Sequence, residues 1–210
     1  MSHHLKRHAS PKSWPIRRKG TKYVIKTSSK GVSVLLILRE MLKLAHDRKE
    51  AKSIIHDKKI MLNEKLVNDE KKNANLFDTI TIIPLKKHYR LELSQKGKFE
   101  LVEIKENESK EKIAKVIGKK KLKHGKIQFN LSDGGNFLSD IKCNTNDSVL
   151  INFKNRKIEK CIPLKEKARA FVFEGKHVGK QGIIEKIIPE QKMAEIESNG
   201  EKINVLIRQF

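Results

Sequence analysis

Residues 33–50 read SVLLILREMLKLAHDRKE, and this stretch shows the clearest structural pattern in the chain. Between Val34 and Ala45, its apolar side chains recur at the spacing of a helix face. Ser33 occupies the position of a helix N-cap, and the letters DRKE at residues 47–50 resemble the capping box that opens a second helix. The stretch therefore predicts two short antiparallel helices joined by a tight connection.

A β pattern follows these two helices. Residues 59–67 alternate between apolar and polar side chains around a turn at Asn63, which is typical of a β-hairpin. Residues 78–83 are rich in β-branched side chains, and Pro84 ends that strand. Residues 33–86 therefore predict a helix–helix–hairpin module that closes with a further strand.

The rest of the chain consists of short strands separated by turns. The strands of residues 87–165 have a spacing that predicts a closed or nearly closed antiparallel sheet. Residues 166–210 contain four or five more strands around the hairpin turn Asn199-Gly200, and they predict a small barrel. We therefore predict an α+β, multi-module fold. Its expected domains are a basic N-terminal arm (1–32), the helix–helix–hairpin module (33–86), a central β domain (87–165) and a C-terminal barrel (166–210).

The charge of the chain is strongly positive and unevenly distributed. Of 210 residues, 47 are Lys or Arg and 25 are Asp or Glu, which gives a net charge of +22. Residues 1–32 hold 9 basic and no acidic residues, whereas residues 166–210 hold 8 basic and 7 acidic ones. Because such a charge strains a compact fold unless a polyanion offsets it, the distribution predicts that RNA binds mainly to the arm and the first two thirds of the chain.

Residues 4–15 combine cations with one large aromatic side chain. They hold three Lys or Arg residues, two histidines and Trp14, and no carboxylate. This segment has too little apolar surface to order itself in water, so we expect it to become ordered on a polyanion. Two positions are open for Trp14: it stacks on an unpaired base, or it docks onto the protein's own first module.

Other basic side chains gather at three further places. We expect Arg39, Lys43 and His46 to share one helix face, next to Arg48 and Lys49 at the helix–helix turn. Two interpretations of this patch are open: it binds phosphates, or it only keeps the surface soluble. A lysine-rich hairpin turn and a glycine-containing loop of the last module offer further phosphate contacts. The candidate RNA-binding residues are Lys6, Arg7, Lys12, Trp14, Arg17, Arg18, Arg39, Lys43, Arg48, Lys49, Lys119, Lys120, Lys121, His124, Lys176, His177 and Lys180.

The sequence contains none of the common catalytic motifs. It lacks a phosphate-binding P-loop, a His-Glu-x-x-His motif and a Gly-x-Ser-x-Gly elbow, and its carboxylates are interleaved with lysines. The pair His3-His4 is a weak ligand set, so we expect no metal and no cofactor. Cys143 and Cys161 lie eighteen positions apart, and we predict that both are reduced core residues. We also expect no signal peptide and no membrane span.

Several short motifs together resemble one protein family. They are HLKR (4–7), PKSW (11–14), LILR (36–39), DTI (78–80), GKIQ (125–128), NLSDGGN (130–136) and GKHVGKQGII (175–184). In series, they resemble the archaeal and eukaryotic small-subunit ribosomal protein family S4e, in a compact archaeal form. The resemblance implies that residues 33–86 are an RNA-binding module, and that residues 175–184 are a KOW motif in an SH3-like barrel.

The resemblance, together with the charge, predicts a structural and non-enzymatic role. We predict a constituent of the small ribosomal subunit in the cytoplasm that binds ribosomal RNA and neighbouring small-subunit proteins, without a membrane or a small-molecule substrate. One alternative is a KOW-containing transcription or translation factor, which would cycle on and off its partner. Another is an accessory part of an RNA-modifying enzyme, which would need a large catalytic domain that residues 88–165 do not resemble.

Overall fold

Strands make up most of this computed structural model, which describes residues 4–27, 31–122 and 126–210. Three short α-helical segments occur among these residues. This mostly-β composition with few helices is consistent with the predicted α+β class. The chain forms two units: unit 1 comprises Met1–Glu92 and Lys98–Lys112, and unit 2 comprises Leu93–Gly97 and Ile113–Phe210.

Unit 1 begins with the arm. Strand β1 (His4–Lys6) pairs antiparallel with β2 (Tyr23–Ile25), and a 3-10 turn, Arg7–Ala9, follows β1. Strand β3 (Val32–Ser33) then pairs with β6 (Asn73–Ala74). The arm therefore has a strand pair of its own.

Two helical segments form the next part of unit 1. Helix α1 (Val34–Leu36) continues into a π-helical turn, Ile37–Met41, and α2 spans Arg48–His56. The Ser33 side chain accepts a hydrogen bond from the Leu36 N–H (3.4 Å), and Asp47 accepts one from the Glu50 N–H (2.9 Å). Both helices therefore begin where the sequence predicts. The first ends at Met41, earlier than predicted, and Lys43 follows in the left-handed conformation (φ 54°).

A five-stranded sheet follows these helices in unit 1, and its strand order is β5–β4–β7–β8–β9. Its strands are β4 (Ile60–Leu62), β5 (Lys65–Leu66), β7 (Thr79–Ile82), β8 (Lys87–Leu93) and β9 (Phe99–Ile104), and α3 (Glu106–Ser109) follows β9. Asn63 and Glu64 have positive φ angles of 51° and 59°. These angles match the tight hairpin turn that the sequence predicts there.

A second five-stranded antiparallel sheet opens unit 2, with the order β12–β11–β10–β13–β14. The strands are β10 (Glu111–Lys121), β11 (Ile127–Leu131), β12 (Asn136–Ser139), β13 (Ser148–Asn152) and β14 (Lys157–Ile162). The two end strands, β12 and β14, also contact each other. The sheet is therefore nearly closed, around a core that includes Val116, Phe129 and Ile151. It begins at Glu111, whereas the prediction also placed the strands of residues 87–104 in it; those strands lie in the sheet of unit 1.

Cys143 and Cys161 form a disulfide within this core, so the prediction of two reduced cysteines is wrong. Both do pack in the core, as expected. Cys161 lies on β14 opposite Val149, and the loop before β13 brings the two Cα atoms to 6.1 Å. This separation lies within the range that disulfides need. The spacing of the cysteines in the sequence carries no sign of that approach.

The chain ends in a four-stranded antiparallel sheet with the order β15–β16–β17–β18. The strands are β15 (Arg169–Phe171), β16 (Gln181–Ile188), β17 (Met193–Ser198) and β18 (Glu201–Leu206), followed by a 3-10 turn, Ile207–Gln209. Asn199 and Gly200 have φ angles of 53° and 81°, so the predicted hairpin turn is present. No helix in the described part of the chain is long and apolar enough to cross a membrane.

Candidate nucleic-acid interface

The arm is folded against the rest of unit 1. This packing corrects the expectation that the arm needs a polyanion to become ordered. Trp14 is only 2% exposed, and its Nε1–H donates to the Gly31 carbonyl (3.1 Å). The Phe99 N–H donates to the Ser13 carbonyl (2.8 Å). The apolar surface that orders the arm comes from the rest of unit 1, which composition alone does not show. Trp14 therefore docks onto the protein, and the alternative of a base-stacking Trp14 is wrong for this conformation.

Arg7 is also turned inward rather than presented on the surface. It is 8% exposed. Its Nε–H donates to the Thr21 carbonyl (2.7 Å), its Nη1 donates to the Arg17 carbonyl (2.9 Å), and its Nη2 donates to Thr21 Oγ1 (2.6 Å). The prediction of Arg7 as a surface phosphate contact is therefore corrected. Its guanidinium instead links the segment after β1 to Arg17 and Thr21 within the arm.

Arg18 makes a second clamp within the arm. Its Nη1 donates to the carbonyls of His8 (3.1 Å) and Ser10 (2.9 Å) and to Ser10 Oγ (3.1 Å). By contrast, Lys6, Lys12 and Arg17 are exposed. RNA contact by these three side chains stays a prediction.

The expected helix face of Arg39, Lys43 and His46 does not exist. The π-helical turn ends at Met41 and Lys43 turns the chain, so the three residues do not share one helix. Arg39 is partly buried, and its Nη2 lies 2.8 Å from Glu40 Oε1. Lys43, His46 and Lys49 are exposed. They offer charge near the helix–helix turn without forming a helical stripe.

Arg48, at the start of α2, is bound by a carboxylate. Its Nε–H donates to Glu70 Oε1 (2.9 Å), and its Nη2 bonds to the same oxygen. Glu70 is 4% exposed, and this hydrogen bond raises the pKa of Arg48 above its ordinary value. Lys52 Nζ lies 3.9 Å from the other oxygen of Glu70. Part of the positive charge at this turn is therefore neutralised by the protein itself.

Unit 2 presents its predicted cations in two places. Lys119, Lys120 and Lys121 end β10 and are exposed, although Lys119 Nζ donates to the Cys143 carbonyl (3.1 Å). His124 lies outside the described residues. In the loop before β16, Lys176 is exposed and His177 is half-buried, whereas Lys180 Nζ lies 3.3 Å from Glu201 Oε2. Among the described residues of unit 2, the predicted cations therefore lie in two separate places, the end of β10 and the loop before β16.

Comparisons with known proteins assign a family. The family described as "Ribosomal family S4e" matches residues 85–158, and the "RS4NT (NUC023) domain" matches residues 1–29. Small ribosomal subunit protein eS4 of Methanocella arvoryzae is 35% identical over 190 residues, which cover 88% of this chain and 80% of that protein. The eS4 protein of Korarchaeum cryptofilum is 34% identical over 98% of this chain and 93% of its own length. The chain belongs to the ribosomal S4e family.

A solved member of the S4e family has the same fold. The 30S ribosomal protein S4e from Thermoplasma acidophilum superimposes with a TM-score of 0.74 at 24% identity, covering 87% of this chain and 94% of that one. The family resemblance predicted from the motifs is therefore confirmed. S4e proteins are ribosomal components rather than enzymes, so the prediction that this chain is not an enzyme is confirmed with it.

One feature of this S4e chain was missed by the sequence reasoning. A cavity of about 230 Å³ lies within the arm, with a lining of Lys6, Arg7, His8, Arg18, Gly20, Thr21 and Lys22. His8, Gly20, Thr21 and Lys22 were not among the predicted contacts. The available signal was Gly20 inside a basic run, because glycine adopts positive φ angles more readily than other residues.

A possible metal set in the S4e chain does not suit a metal. Potential ligand atoms of Cys143, Asp147 and Cys161 all lie within 4.8 Å of one another. Thiolates bind metals, but both sulfurs are committed to the disulfide. These residues therefore offer one carboxylate, which is too few ligands for a structural metal site.

Proposed function

We propose that this chain is a structural constituent of the small ribosomal subunit and binds ribosomal RNA there, in the cytoplasm. The observation that carries the proposal is the arm, which holds 9 basic and no acidic residues and yet is folded. Its internal clamps leave Lys6, Lys12 and Arg17 exposed on an ordered scaffold. A preorganised set of cations binds phosphates with a smaller loss of conformational entropy than a disordered tail.

The four predicted domains divide this work. Residues 1–32 anchor the protein to RNA, and the module of residues 33–86 adds the exposed Lys43 and Lys49 beside its helix–helix turn. The central β domain, residues 87–165, contributes the lysines that end β10. RNA and neighbouring small-subunit proteins are the partners of all four.

The C-terminal domain, residues 166–210, acts as a KOW-type SH3-like barrel. Two glycines support this assignment. A Cβ atom on Gly179 (φ 83°) would lie 2.0 Å from the Ser94 carbonyl oxygen, and one on Gly182 would lie 2.2 Å from the Glu197 carbonyl oxygen. This close backbone packing holds the loop that carries Lys176 and His177.

Salt dependence of RNA binding tests the proposal directly. The full chain is titrated against a small-subunit ribosomal RNA transcript between about 50 and 200 mM salt. With six or more phosphate contacts, the affinity should fall by roughly 10³-fold or more over this range. An affinity that stays constant would contradict the electrostatic mode of binding.

Sedimentation of a cell extract separates the structural role from that of a factor. A structural constituent comigrates with salt-washed small subunits at one copy per subunit. If most of the protein sediments in the free fractions, the chain is instead an RNA-binding factor.

A further inference from the structure

The cavity in the arm has the composition of an anion site. Of its seven lining residues, Lys6, Arg7, Arg18 and Lys22 carry permanent positive charges, and none is a carboxylate. Lys6, Arg18 and Lys22 are exposed at its rim, whereas Arg7 is 8% exposed. Because like charges repel one another, gathering four of them around one space is unfavourable unless an anion occupies it.

Arg7 is the buried cation of this lining. Within the described residues, its guanidinium bonds only to neutral oxygens, those of Thr21 and Arg17. A buried charge without a counter-ion is costly, even when neutral groups accept its hydrogen bonds. A guanidinium has five N–H donors, and these contacts use three of them. The other two are available to a ligand.

Arg18 adds further donors to the lining of the cavity. Its Nη1 is committed to carbonyl and hydroxyl oxygens of the segment from Arg7 to Ser10. Its Nε and Nη2 make no hydrogen bond to the described residues. Arg18 therefore has its Nε–Nη2 edge left over and Arg7 has two N–H donors left over, which suits an oxyanion with several acceptor oxygens.

We propose that this cavity binds one phosphate group of the RNA backbone. The inference rests on the proposed RNA-binding function for the source of the phosphate. A phosphate fits the observations because it offers several acceptor oxygens and negative charge to a site that has only donors and positive charge. The volume of about 230 Å³ is several times the roughly 10–15 Å³ that one water needs, so the group fits with part of its hydration.

Gly20 keeps this site open. Its φ is 136°, a conformation that L side chains rarely adopt, and a Cβ atom there would lie 3.3 Å from Cζ of Arg7. An alanine at this position therefore presses on the guanidinium and narrows the cavity without changing any charge. Gly200 is a matched control because it also has a positive φ (81°), whereas a Cβ atom there meets nothing within 4 Å.

The first experiment compares Gly20→Ala with Gly200→Ala in the full chain. RNA affinity is measured over a range of salt concentrations, and the slope of log affinity against log salt counts the phosphates bound. Loss of one contact lowers the magnitude of this slope by about 0.7 on a single strand, and the corresponding value for B-form DNA is about 0.9. We expect this decrease for Gly20→Ala and no decrease for Gly200→Ala. Equal slopes in the two variants overturn the site.

Fluorescence shows whether the arm stays folded in these variants. Trp14 is the single tryptophan and is buried, so its emission shifts to longer wavelength if the arm detaches. If Gly20→Ala detaches the arm, two double variants test the phosphate site instead. Lys6→Gln with Lys22→Gln removes two charges from the cavity, and Lys19→Gln with Lys26→Gln removes two exposed charges elsewhere in the arm.

Inorganic phosphate distinguishes the two sources of the ligand. A larger loss of RNA affinity in the cavity pair than in the control pair supports the proposal. Equal losses, with no rise in melting temperature on adding phosphate to the unaltered chain, overturn it. Equal losses with a phosphate-dependent rise that the cavity pair abolishes assign the cavity to free phosphate and overturn RNA as its source. A salt-insensitive RNA affinity of the unaltered chain would instead overturn the proposed function itself.

Discussion

Strand β10 carries two buried lysines, one in each unit, and they are held in opposite ways. In unit 1, Lys112 Nζ lies 2.5 Å from Asp78 Oδ1, and the two side chains are 3% and 4% exposed. In unit 2, Lys115 Nζ donates to backbone oxygens of Ile207 and Phe210, the latter at 2.6 Å, and lies 5.2 Å from the centre of the Phe210 ring. One lysine has an anionic partner. The described contacts of the other are to backbone oxygens and an aromatic ring.

The difference separates two uses of a buried charge. Asp78 also accepts hydrogen bonds from the Asn63 side chain (2.9 Å) and the Asn75 N–H (2.7 Å), so the pair is part of a satisfied network. Lys115 instead binds the end of the C-terminal sheet to the central sheet. Its desolvation lowers the pKa of Lys115 from 10.5 to about 8. The stability that Lys112 contributes depends on the Asp78 carboxylate, whereas the contribution of Lys115 depends on pH.

Removing the anion should give the largest effect. Asp78→Ala leaves Lys112 as a buried charge without its carboxylate, so we expect the free energy of unfolding to fall by about 3–5 kcal/mol. Urea unfolding followed by circular dichroism measures this loss. Glu103→Ala is the control, because the Glu103–Lys87 pair (3.6 Å) is exposed and should contribute about 0–1 kcal/mol. Equal losses in the two variants would show that Lys112 does not depend on Asp78.

The pH dependence should give a smaller effect, and its sign follows from the direction of the shift. Between about pH 8 and 10.5, folded Lys115 has released its proton, whereas the unfolded chain still binds it. Because the unfolded state binds more protons, the contribution of Lys115 to stability rises with pH across this window. Below pH 8 both states are protonated, and the unfavourable burial of the charge is fully present.

Comparison with Lys115→Met isolates this contribution from the other groups that titrate in the window. The stability of the unaltered chain minus that of the variant should rise between pH 8 and 10.5. A constant difference would mean that Lys115 keeps its ordinary pKa, and a direct NMR titration of its Cε protons would then show the same.

Local features of the fold were predictable from the sequence. Ser33 and Asp47 begin their helices because an N-cap needs only a side-chain oxygen and the next few N–H groups. The turns at Asn63 and at Asn199-Gly200 depend on residues that tolerate positive φ. In each case the deciding atoms lie within a few positions of one another in the chain.

The arm was not predictable in the same way. Its composition favours disorder, yet Trp14 is buried and donates to Gly31, and Arg7 is turned inward and donates to oxygens ten and fourteen residues away. Whether an arginine faces solvent or a neighbouring carbonyl is decided by tertiary contacts that charge counting does not include. The exposed Lys6 and Lys12 remain candidates of the kind that charge counting can find.

The smallest expected effect is that of Lys115→Met, compared with the same substitution at Lys112. Lys112→Met removes the cation of a network and leaves the buried Asp78 carboxylate with neutral donors, so a loss of about 3 kcal/mol is expected. Lys115→Met at pH 7 removes an unfavourably buried charge along with its hydrogen bonds to Ile207 and Phe210, and the two terms offset. We therefore expect a change below about 1 kcal/mol, since an apolar replacement for a buried ion is often neutral. Equal losses in the two variants would show that the backbone oxygens of Ile207 and Phe210 stabilise Lys115 as strongly as Asp78 stabilises Lys112.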